Sequence, residues 1–205
     1  MMRTFFTYLF ILFAWSQISA TPTSVASTYN GYIVTLDGKK LTGQIGDIFF
    51  SDEISVVLFI NDFGTSYHLQ AELITGFVFQ QEDKVIEYES LFRPATRAWS
   101  FLRVVEKGAI LSLFKSPEEK MEFTLGEGGD ELNGQRVQVE EYWLKFKGER
   151  SVKLTRFGYK RQLKDILKAY PAMVKLIGKP GYKYKDMERI VQEVNELYLS
   201  KKNTL

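Results

Sequence analysis

The hydrophobic period changes once along this chain, and that single change narrows the folds open to it. From Tyr29 to Leu154, apolar and polar residues alternate in short runs, each closed by a turn signal. From Thr155 onward the apolar residues recur at three and four positions, the spacing of an amphipathic helix. Strands followed by helices specify an α+β fold and argue against a doubly wound α/β sheet.

The strand region opens on "GYIVTLDGKKLTGQI", residues 31 to 45. Tyr32, Val34 and Leu36 alternate against Ile33 and Thr35, and Leu41, Gly43 and Ile45 resume the pattern after Asp37-Gly38. Asp-Gly favours a tight hairpin because both central residues reach positive φ at low cost. "ISVVLFI", residues 54 to 60, is uniformly apolar and reads as a strand buried on both faces. Asn61-Asp62-Phe63-Gly64 is a turn. "TSYHL", "TGFVFQ", "VIEYES", "WSFLRVV", "AILSLF" and "MEFTL" are further strands, and "EEYWLKF" with "SVKL" makes a last hairpin. "GEGGDELNGQR" reads as a mobile loop. This spacing predicts an antiparallel β-sheet or small barrel of about 8–11 short strands.

In the tail, Leu163, Ile166, Leu167 and Tyr170 form one apolar stripe, and Met187, Ile190, Val191, Val194, Leu197 and Tyr198 form another. "PAMVKLIG" between them suits a short helix, with Pro171 in its first turn and Gly178 at its end. Two or three C-terminal helices are therefore expected over residues 155–205, packed on a β domain spanning 29–154.

Residues 1–20 have the layout of a signal peptide. Arg3 supplies the positive start, "TFFTYLFILFAW" an apolar run of 12 residues, and Ala20 the position before cleavage. A spanning helix needs roughly 18 or more apolar residues, so no transmembrane segment is expected after cleavage. "TPTSVAST", residues 21 to 28, reads as a flexible leader. The chain has no cysteine, which excludes a disulfide framework and a lipid-modified N-terminal cysteine. It also has no Asn-x-Ser/Thr sequon. Together these point to the bacterial envelope, either periplasmic or secreted.

The catalytic inventory is thin. His68 is the one histidine, in "SYHLQ", and reads as a sheet-surface residue because a triad or zinc site needs partners for it. No nucleophile elbow, phosphate loop or His-Glu-x-x-His occurs. Glu127, Asp130 and Glu131 could supply oxygen ligands to calcium, but their spacing fits no EF-hand. Among carboxylate pairs, Glu87 and Glu89 share a strand face and Glu140 and Glu141 point apart. No catalytic residue, cofactor or metal site is assigned.

Charge is nearly balanced overall but unevenly placed. Residues 21–140 hold 10 Lys+Arg against 18 Asp+Glu, and residues 141–205 hold 16 against 7. Two readings follow: the halves attract each other within one fold, the preferred one, or the basic half faces an anionic partner. For the second, Lys160, Lys164 and Lys168 repeat at i+4 beside Arg161, largely opposite the apolar stripe. That face could dock an envelope protein, an anionic lipid or an acidic glycan. Nucleic acid is not expected for an exported chain.

"GYIVTLDGKKLTGQI", "LITGFVF", "FLRVVEKGAILSLF", "LKDILKAYPAMVKLI" and "YKDMERIVQEVNELY" together resemble a set of uncharacterised secreted proteins of Bacteroidetes-type bacteria. The resemblance implies an envelope or secreted location and carries no activity or catalytic residues. Beside it, the residues lead to one functional expectation, a non-enzymatic binding or scaffold module of the cell envelope. The alternative is a hydrolase using carboxylates on an envelope or extracellular polymer.

Overall fold

The computed structural model describes residues 27–117, 119–125 and 132–203. The expected signal peptide, most of the leader, and Glu127, Asp130 and Glu131 lie outside these. Twelve strands are described, followed by helices, so the α+β class holds. The strands are β1 (Tyr29–Thr35), β2 (Lys40–Phe50), β3 (Ser55–Asn61), β4 (Ser66–Gln70), β5 (Ile74–Gln81) and β6 (Lys84–Arg93), then β7 (Ala98–Glu106), β8 (Leu111–Lys115), β9 (Glu119–Leu125), β10 (Leu132–Gln138), β11 (Tyr142–Phe146) and β12 (Val152–Leu154). The helices are α1 (Tyr159–Ile166), α2 (Pro171–Val174) and α3 (Met187–Asn203), with one 3-10 turn at Tyr184–Asp186.

Ten strands form one antiparallel sheet in the order β12-β11-β8-β7-β6-β5-β1-β2-β3-β4. It is open, with β12 and β4 as edges, and the small barrel is not formed. Hairpin ladders join sequence neighbours, and β1 with β5 and β8 with β11 make the two non-local pairings. Among the described residues β9 and β10 pair only with each other. β10 corrects the expected loop: Leu132–Gln138 is polar and carries a glycine, so nothing local marks it as a strand, yet β9 supplies its ladder.

The turns follow local chemistry with one difference. At the first hairpin Gly38 N donates to Thr35 O, so Leu36 and Asp37 are the central residues, and only Gly38 (φ 80°) takes positive φ. Asp-Gly thus serves a longer loop than the two-residue one expected, with glycine at the left-handed position. At the next, Asn61 Oδ1 accepts from Phe63 N and Thr65 N, and Gly64 also sits at φ 80°. β3 lies beside the edge strand, so it alternates: Val57 and Phe59 are buried, while Val56 and Leu58 are partly covered. The expected two-sided burial is not realised, because nothing layers fully over the outer face.

Register places two cores on one face of the sheet. Ile33, Ile45, Phe59, Phe77, Tyr88 and Phe101 belong to the core of the β1–β7 half, which coils on itself. Leu111, Leu113, Leu144 and Leu154 meet the helical layer through Leu163, Leu167, Met187, Ile190 and Val194. Leu91, Leu102, Phe114 and Trp143 form a smaller cluster on the opposite face.

Coiling brings β3 against β7, which are not neighbours in the sheet. Ser55 Oγ accepts from Phe101 N at 3.2 Å. At the end of β6, the guanidinium of Arg93 is almost fully buried against the Phe50 ring. It donates to Ser51 O at 2.9 Å and Asp52 O at 2.5 Å. Asp52 in turn accepts from Lys120 of β9 at 2.6 Å. Arg93→Met keeps the apolar stem but removes these donors, and is expected to lower the unfolding free energy by about 2 kcal/mol in urea titrations. The hydrogen bond from Lys120, helped by its charge and that of Arg93, holds the Asp52 carboxyl below its usual range despite partial desolvation. A carboxyl depressed in the folded state stabilises in full above its ordinary pKa, and that contribution is lost as pH falls from there through the lower folded-state pKa.

Candidate functional site

The helical basic face is built from the last strand outward. Gln162 Nε2 donates to Lys153 O at 3.0 Å, and its Oε1 accepts from Thr155 N at 3.0 Å. Thr155 Oγ1 accepts from Gly158 N at 3.1 Å, closing the turn that leads into the helix. These bonds fix α1 so that Tyr159 and Leu163 face the sheet. Lys160, Arg161 and Lys164 then face solvent, with Lys168 just beyond the helix end. All four are exposed, and none makes an ion pair among the described residues. The helix ends sooner than its stripe implies, because Tyr170 precedes Pro171 and adopts φ −122°. Leu167 and Tyr170 are buried all the same.

No ion pair among the described residues joins an acid of residues 27–140 to a base of residues 141–203. Lys153 pairs with Glu141 at 2.6 Å and Arg189 with Glu193 at 2.8 Å, both within the basic segment. The preferred internal attraction is therefore not made through direct contacts between the halves.

The carboxylate candidates are engaged. Lys107 bridges Glu87 at 3.0 Å and Glu89 at 2.5 Å. Burial works against the charge of Lys107, but its bonds to Glu89 and Glu87 outweigh it and raise its pKa above the usual lysine value. Glu140 lies 3.6 Å from Lys115. His68 is exposed on edge strand β4, beside an apolar trough lined by Phe49, Val56, Leu58 and Met121.

One feature of the concave face escaped the sequence reading. Along β7, Phe101 belongs to the first core and Val105 packs against the second, with Arg103 between them on the same face. Register sets Tyr88 and Lys115 on either side of Arg103, and Tyr142 beyond Lys115. A cavity of about 310 Å³ opens here, lined by Tyr29, Phe79, Tyr88, Arg103, Lys115 and Arg136, with Asp47 and Glu119 also on its wall. The signal was present in "WSFLRVV": its one cation falls in the inward register. Reading it required knowing which face was inward.

Comparison with known proteins returned no matching family model, no matching curated protein and no matching solved structure.

Proposed function

We propose that the protein is a non-enzymatic binding module of the bacterial cell envelope, periplasmic or secreted after cleavage at Ala20, whose helical layer docks an anionic envelope component. The observation that carries this reading is the exposed, unpaired set Lys160, Arg161, Lys164 and Lys168, on a helix whose other face is buried. Unpaired surface cations add little to folding, since even paired ones contribute about 0–1 kcal/mol each. Their cost is low, and their combined field favours anionic surfaces. Among the described residues no helix is long and apolar enough to cross a membrane, so the proposed contact is peripheral.

The test is co-sedimentation of the purified chain with anionic liposomes and, separately, with an acidic polysaccharide. Binding to one of them should be clear at low salt and weaken at high salt, because screening shortens the field to about 8 Å at physiological ionic strength. Reversing Lys160, Lys164 and Lys168 to Glu should abolish it while leaving the thermal midpoint within a few degrees. No sedimentation of the wild type with either material at low salt removes this reading.

A further inference from the structure

We propose that the seam between the two cores is a binding site for a small oxyanion carried on a planar ring, a phosphate or carboxylate recognised by Arg103 and Lys115. Three observations lead there. First, Arg103 and Lys115 stand directly opposite each other on antiparallel strands. Like charges in that position repel, so the arrangement works against the fold and is not explained by it. Second, the charges are poorly compensated from within. No hydrogen bond or ion pair involves the Arg103 side chain among the described residues. Among the described residues the one ion-pair partner of Lys115 is Glu140, at a loose 3.6 Å and half exposed. Of the other charged groups on the cavity wall, Arg136 is held by Glu119 at 3.1 Å, and Asp47 makes no ion pair among the described residues. The guanidinium of Arg103 is thus the free fork in the site, and that planar fork matches a two-oxygen anion.

Third, the wall beside the cations is aromatic. Tyr29 and Phe79 stack with centroids 5.3 Å apart, and Phe79 lies 6.3 Å from Tyr88 with the ring planes only 10° apart. Phe79 and Tyr88 are themselves 7% and 8% exposed, so the half-buried ring of Tyr29 presents the apolar surface beside the charge, and an aromatic ring pairs favourably with another. A cavity of about 310 Å³ is at the small end for ligand pockets, so the occupant is a compact molecule. This site is separate from the helical basic face and does not depend on it.

Phenyl phosphate, benzoate, inorganic phosphate and phenol are the probes, titrated into the full chain at low salt by calorimetry and by NMR. Phenyl phosphate or benzoate should bind saturably, with shifts at Tyr88, Arg103 and Lys115, and the stronger of the two identifies the head group. Inorganic phosphate and phenol should each bind about tenfold more weakly or worse, since each supplies half of the recognition. Arg103→Met should weaken the best probe about tenfold or more. Without ligand the same variant should unfold at an equal or higher temperature, because it removes the repulsion with Lys115; a purely structural arginine would behave oppositely. Arg103→Lys should retain part of the affinity. The triple reversal at Lys160, Lys164 and Lys168 should leave probe binding intact, so failure of the helical face and failure of this pocket are distinguishable. Absence of saturable binding by both ring-bearing anions, or unchanged affinity in Arg103→Met, overturns the assignment.

Discussion

A chain ending at Thr155 is expected to lose cooperative unfolding altogether. The helical tail contributes 11 of the 15 buried residues in the larger core, so truncation leaves Leu111, Leu113, Leu144 and Leu154 without cover. Exposing four buried leucines costs about 6–12 kcal/mol at about 1.5–3 kcal/mol each. That is comparable to the whole stability of a typical domain, about 5–15 kcal/mol. Partly buried Ile110, Tyr142 and Phe146 lose packing as well. Urea unfolding followed by circular dichroism decides the matter. A truncated chain with an unchanged midpoint would make the tail an independent appendage. The helices have the converse dependence, because segments as short as α1 are marginal alone in water.

The second large effect is expected at one side chain, Asn195 of α3. Its Oδ1 accepts from Ile110 N and Leu111 N, each at 3.1 Å. Its Nδ2 donates to Leu111 O at 2.8 Å and to Val191 O at 2.9 Å. Asn195 is buried, so all its hydrogen-bonding capacity is used inside the protein. The reason lies in the sheet. The β7–β8 ladder shifts register between Val104 and Glu106, and the chain then leaves through Lys107 and Gly108. Where the ladder stops, the amide of Asn195 substitutes for the missing strand. A Cβ on Gly108 would lie 1.9 Å from Asn195 Nδ2, so this approach requires glycine. Asn195→Leu keeps the volume but leaves two N–H groups and a carbonyl unpaired in the core. At about 1–3 kcal/mol for each unsatisfied group, the unfolding free energy should fall by about 4 kcal/mol. A loss below about 1 kcal/mol would mean that the β7–β8 connection shifts and hydrates these groups instead.

Much of the secondary structure was legible because it depends on local information. Asp37-Gly38 and Asn61 to Gly64 turn the chain through glycine conformation and asparagine capping, which neighbouring residues settle. The stripe Met187, Ile190, Val191, Val194 announces α3, and all four are buried. Asn195 also stood in plain view, four residues after Val191 and beside the stripe, but a buried asparagine looks like a surface one until its partners are known. β10 was illegible for the same reason, since its ladder comes entirely from β9.

The sequence by itself determined the division into strands and helices, the place where one gives way to the other, and which residues of α3 turn inward. Periodicity carries that information, because burying one face demands a repeat equal to the geometry of the element. Only the tertiary structure decided that the sheet stays open, that β8 skips past β9 and β10 to pair with β11, and that Arg93 ends in the interior while Lys160 does not. It alone set Arg103 opposite Lys115 at the boundary between two cores. Those outcomes rest on contacts between distant segments, where the gain from pairing must exceed the entropy of closing the intervening chain, and no short stretch of residues encodes that balance.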